Sequence, residues 1–162
     1  MASRKLLRKK SLFENPRYWY HISTTLTHKR EYLTPWDNSK GFNRSSSEPD
    51  VKRTCVGPSV AHCFAAVPYC SGEKYIIYRT AQKVKAKEAN GVYDSSVTCE
   101  GWIQTPMMFV RIGTLSLRSM SRKIGRDLIE ECASGGNDTL CCNGKVLAWW
   151  KRQKVDQYIK RA

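Results

Sequence analysis

Glu100, followed by Gly101 and Trp102 just upstream of an apolar strand, is the carboxylate best placed for chemistry, because partial desolvation and a nearby donor can tune it. A plain turn residue is the other reading of that position. Far upstream, His21 and Ser23 stand two residues apart inside YWYHIS, so an extended chain points both to one face. A strand histidine by itself reads as a satisfied core group, and the serine adds a second hydrogen-bonding group beside it. Arg53 could hold a phosphate or carboxylate, or form a salt bridge on the domain surface.

Seven cysteines, at 55, 63, 70, 99, 132, 141 and 142, form no CxxC pair. An odd number with no apolar secretion segment at the start reads as buried reduced thiols. Zinc bound by Cys55, His62, Cys63 and Cys70 is the sharper alternative. Adjacent ligands and seven-residue gaps do not suit a knuckle, so no metal is expected.

The elements that must position these groups follow from periodicity. In the central stretch Val92 to Leu117, the residues Met108, Val110, Ile112, Thr114 and Ser116 alternate with Phe109, Arg111, Gly113, Leu115 and Leu117, the two-residue repeat of a strand. Pro106 marks a bulge or edge. Earlier, Tyr18 to Ser23 and Glu31 to Pro35 read as short strands, and the polar run 37–50 as a surface loop or lid. Arg53 to Val67 reads as strand, Gly-Pro turn and helix, with Val60, Cys63, Phe64 and Val67 on one face. Lys74 to Thr80 is a strand, and Gln82 to Asn90 a charged connector.

Beyond Leu117 the pattern turns helical. Ser119 or Ser121 caps a segment carrying Ile124, Leu128, Ile129 and Cys132, which Gly135-Gly136 stops. Lys145 to Arg161 reads as a last helix, with Leu147, Trp150, Val155, Tyr158 and Ile159 inward. The sum is an α+β domain with a compact mixed sheet. It divides into a basic arm 1–17, a core 18–117 and a basic helical segment 118–162, and removal of residues 1–10 and 145–162 is expected to leave the fold of the centre intact.

Net charge is +14 over 162 residues, and it is uneven: +7 in 1–53, +2 in 54–117 and +5 in 118–162. Basic ends around a nearly neutral centre suit phosphates or acidic protein surfaces. The residues expected to meet nucleic acid are Arg4, Lys5, Arg8, Lys9 and Lys10 in the arm, and Lys151, Arg152 and Lys154 near Trp149, Trp150 and Tyr158. A solvated tail and a packed helix with a basic outer face are the plainer readings of the same residues. No run of eighteen apolar residues is present, so no membrane span and a cytoplasmic location are expected, in a host cytoplasm if the protein is viral.

Taken together, the HxS strand, the loop, the strand-turn-helix at 53–67, a hydrophobic strand and a late acid leading into another strand resemble the small ADP-ribosyltransferase-like fold. The likeness is to its rifampin-modifying branch and to short phage and bacterial proteins, and it covers roughly residues 18–117. The resemblance implies a cleft between two small sheets that binds NAD. His21 would hydrogen-bond the ribose, Ser23 would lie beside the nicotinamide amide, and Arg53 would join them as a cofactor-binding residue. Glu100, with Asp94 as second choice, would stabilise the oxocarbenium-like ribose and orient the nucleophile. The family's second-motif tyrosine has no counterpart in CVGPSVAHC. A catalytically inactive, basic nucleic-acid-binding or accessory protein of the same fold is therefore the alternative.

Overall fold

The computed structural model describes residues 17–36, 51–66, 73–89, 98–128 and 144–162. Arg4, Lys5, Arg8, Lys9, Lys10, Asp94, Cys70, Cys132, Cys141 and Cys142, with the 37–50 loop, lie outside the described residues. The strands are β1 Tyr20–Ser23, β2 Arg30–Leu33, β3 Thr54–Val56, β4 Lys74–Thr80, β5 Lys87–Glu88, β6 Gly101–Ile103, β7 Met107–Ser116 and β8 Lys160–Arg161. The helices are α1 Val60–Ala66, α2 Leu117–Ile124 and α3 Gly144–Arg152, with a 3-10 turn at Val155–Tyr158. The class is α+β, as expected, but each described strand pairing is antiparallel rather than mixed.

One sheet runs β1-β4-β7-β2, with β8 also pairing β7, and the other runs β3-β6-β5. They meet where Tyr20 and Gly57 exchange backbone hydrogen bonds of 2.9 Å each way. A methyl group on Gly57 would lie 2.9 Å from Cys63 Sγ and 3.2 Å from the Ser59 carbonyl oxygen, so a side chain here would crowd the start of α1.

Two cores lie on opposite faces of the larger sheet. On one, Ile77 and Leu115 pack with Val60, Phe64, Leu117, Met120, Trp150 and Val155. On the other, between the sheets, Tyr78 and Phe109 pack with Trp19, Val56, Ala86, Ile103 and Met107. A strict alternation would put Phe109 and Leu115 on the same face. A β-bulge prevents this: the register passes from Ile77↔Gly113 to Tyr78↔Arg111, leaving Ile112 as the extra residue.

The C-terminal segment corrects the expectation of a separable helix. Trp150 is fully buried and stacks on Phe64 at 4.8 Å. The helix stops at Arg152, because Lys154 takes a left-handed conformation (φ 50°) and the chain returns to pair β8 with β7. At Gly113 an added methyl would meet Ile159 and the Lys160 carbonyl at 2.5 Å, so that approach requires glycine. The boundary after residue 117 therefore crosses a continuous core. In α2 the cap is Ser116, one turn earlier than the serines expected, and its hydroxyl accepts from Ser119 N–H. Gly125 in the left-handed region (φ 69°) ends it.

Candidate active site

The two-residue spacing that relates His21 to Ser23 also relates Arg53 to Cys55 and Glu100 to Trp102. In β3 and β6, Cys55 stands opposite Trp102, so this pair shares the face of the small sheet opposite Val56 and Ile103. Three of the predicted residues come together here. The Arg53 guanidinium lies over the Trp102 ring at 4.4 Å, and Trp102 Nε1 donates to Glu100 Oε1 at 2.8 Å. The Cys55 thiol hydrogen-bonds with the side chains of both Glu100 and Arg53. Burial pushes that thiol well above its ordinary value; the carboxylate pushes the same way and Arg53 opposes.

His21 enters from the other sheet. Its Nδ1 lies 3.0 Å from the Cys55 carbonyl oxygen, and its ring meets Phe109 edge-on at 6.0 Å. Burial lowers the histidine below its ordinary range, partly offset by the Cys55 carbonyl, which favours the protonated form. A carbonyl only accepts, so Nδ1 carries the proton and donates to it. Neutral His21 is left with Nε2 as a lone-pair acceptor. His21 and Glu100 thus flank one residue, the histidine on its backbone oxygen and the glutamate on its sulfur.

The turn before Glu100 is constrained. Cys99 has φ 52°, a left-handed conformation costly for a residue with a Cβ. Gly101 follows against the buried Trp19, where an added methyl would come within 2.7 Å of the indole. Strain on one side and close packing on the other hold the Glu100 backbone in one place.

Ser23 and Arg53 have structural partners. Ser23 Oγ accepts from the N–H groups of Thr25 and Leu26, both at 3.1 Å, closing a turn after β1. Arg53 is buried rather than on the surface, and its Nη1 donates to the Val51 carbonyl. Its backbone also bridges Trp36, an exposed indole. The sequence marks Cys99 as a reduced thiol and Cys55 as a reduced thiol or a zinc ligand, and neither as a neighbour of Glu100. Their places beside Glu100 depend on strand pairing and a backbone conformation that periodicity does not mark.

The described cysteines are free. Burial pushes Cys63 up to about 12, and its thiol donates to the Tyr20 carbonyl. His62 is buried, held at about 4 by burial and then by the Lys151 charge, and lies 2.6 Å from Ser59 Oγ. Cys55 Sγ, His62 Nδ1 and Cys63 Sγ have Glu100, Ser59 and Tyr20 as partners, while His62 Nε2 is buried with no hydrogen-bond partner among the described residues.

Among the predicted nucleic-acid contacts, Lys151, Arg152 and Lys154 are exposed. Lys151 and Lys154 line a cavity of about 450 Å³ with Ser59, Asp156 and Gln157. Trp150 is sealed in the core and cannot stack on a base. No described helix is long and apolar enough to cross a membrane. No family model, curated protein or solved structure matches the chain.

Proposed function

We propose that the chain is an ADP-ribosyltransferase-like protein that takes NAD as substrate, with Glu100 and His21 as its catalytic residues. The observation that carries this reading is the convergence of His21 and Glu100, 79 positions apart in sequence, on Cys55 at the junction of the two sheets. The chemistry of the donor set suits the substrate. The free Nε2 of neutral His21 accepts from a ribose hydroxyl and so orients the sugar. The Glu100 carboxylate faces positive charge that grows on the ribose as nicotinamide leaves with the electron pair of the glycosidic bond. It then takes the proton of the nucleophile whose electrons form the new bond. The positively charged chain favours a polyanionic acceptor such as nucleic acid.

A second reading is favoured by Ser23 and Arg53, whose polar atoms serve a turn and an indole stack. In it the same fold is a catalytically inactive basic protein that binds nucleic acid or acidic protein surfaces. Incubation with NAD labelled in the ADP-ribose part, with protein alone, RNA and DNA as acceptors, separates the two. The transferase reading expects label on one acceptor with wild type and its loss with Glu100→Gln and His21→Ala. Absence of label from all acceptors, together with absence of nicotinamide release, overturns it.

A further inference from the structure

The larger sheet has a second face, pointing away from the His21 side, and the described helices cover only part of it. Cross-strand register sets a row over four strands: Tyr20 opposite Arg79, Arg79 opposite Val110, and Val110 opposite Arg30. Directly opposed residues share a face, so this row continues the side that carries Ile77 and Leu115. One step along, Tyr32 stands opposite Met108. The helical core packs on the Ile77 and Leu115 end. At the other end Val110 and Met108 are half-buried, Arg30 is exposed and Tyr32 is 63% exposed.

The chemistry of this end is specific. The Arg79 guanidinium lies 4.1 Å from the centre of the Tyr18 ring, giving one arginine on an aromatic and a second tyrosine two strands away. Neither Arg30 nor Arg79 has a carboxylate partner among the described residues. The only acid in β1, β2, β4 and β7 is Glu31, which stands opposite Phe109 and so faces the other core. Its Oε1 accepts from His28 N–H.

We propose that this open half-face, Tyr18, Arg30, Tyr32 and Arg79 floored by Val110 and Met108, is a platform for single-stranded nucleic acid. Flat aromatics offer stacking that every base can use, and unpaired arginines on the same surface meet the phosphates. Charge complementarity favours this occupant: the chain carries +14, and among the described residues the face carries two cations and no anion. The proposal stands whether or not the protein transfers ADP-ribose, because the platform and His21 lie on opposite sides of the sheet.

The test uses the full chain and a fluorescent twelve-nucleotide strand, in RNA and DNA arms, with the matching duplex and inorganic polyphosphate as competitors. Tyr32→Ala at this exposed position is expected to weaken binding about tenfold at fixed salt, with Tyr32→Phe close to wild type. Arg30→Ser should lower the slope of log affinity against log salt by about one. The duplex and polyphosphate should compete less well than the unlabelled strand. Circular dichroism checks that each variant is folded. Affinities within twofold of wild type for both Tyr32→Ala and Arg30→Ser would place binding on other charges and overturn the proposal. So would preferential binding of an acidic peptide, or sedimentation showing a Tyr32-dependent dimer that hides this face.

Discussion

Replacing Trp150 by alanine tests whether the C-terminal segment is part of the core. The indole is fully buried, stacks on Phe64 at 4.8 Å and meets Trp149 edge-on at 4.9 Å. Truncating such a ring costs about 3–5 kcal/mol through lost burial and the cavity left behind. A domain of this kind has roughly 5–15 kcal/mol in all. With a urea dependence of about 2–3 kcal/mol/M, the unfolding midpoint should fall by roughly 1–2 M. Trp150→Phe is the informative partner. Trp150 Nε1 is buried with no hydrogen-bond partner among the described residues, a burden of about 1–3 kcal/mol that phenylalanine lacks while keeping the stack. Its midpoint should stay within about 0.7 M of wild type, allowing for the volume lost. Far-UV circular dichroism in a urea series reads both. A Trp150→Ala midpoint within 0.3 M of wild type, on the order of the fitting error, would mean that the segment is peripheral and the packing argument is wrong.

Three further outcomes follow from the same geometry. Gly101→Ala drives a methyl to 2.7 Å from the Trp19 ring and 2.8 Å from Ala86 Cβ, so the melting temperature should drop by about 3–10 °C, and an unchanged value contradicts the fit. His62 is held at about 4, so the unfolded chain takes up the proton first as pH falls. Its contribution is complete above pH 6.5 and is lost as pH falls to about 4. His62→Gln should flatten that part of a stability-against-pH curve, and an identical acid limb would refute the assignment. Cys63 is pushed up to about 12 from 9, so its contribution holds below pH 9 and declines as pH rises from there. Iodoacetamide at neutral pH should leave Cys55 and Cys63 unmodified in the folded protein and modify both in urea, as read by peptide mass.

Where local pattern decides structure, the chain was readable. Lys74 to Thr80 is β4 to the residue, because its apolar run is buried on both faces. The Val60, Cys63 and Phe64 stripe of α1 is buried, but so are Ala61, His62 and Ala65, since this short helix sits among β1, α3 and the 3-10 turn. Gly113 stands beside the Ile112 bulge, but taken as an ordinary strand position it leaves the alternation unbroken, which puts Leu115 and Phe109 on one face. The C-terminal turn failed for a related reason. Helical spacing through Trp150, Val155 and Tyr158 continues past Arg152, while Lys154 adopts a backbone conformation that its side chain does not signal. At the site, His21 and Glu100 could be named from the chain. Cys55 as the residue between them depends on a contact between two sheets that only tertiary structure supplies.

The central claim is that Glu100, fixed by the strained Cys99 and the packed Gly101, stabilises positive charge on a ribose oriented by His21. The most direct measurement is nicotinamide release from NAD by wild type beside Glu100→Gln, a change that keeps an acceptor for Trp102 while removing the charge. Release by wild type and a loss of about 10²–10³-fold in the variant is the predicted result. Equal release by the two proteins, or none by wild type with NAD present in excess, would contradict it.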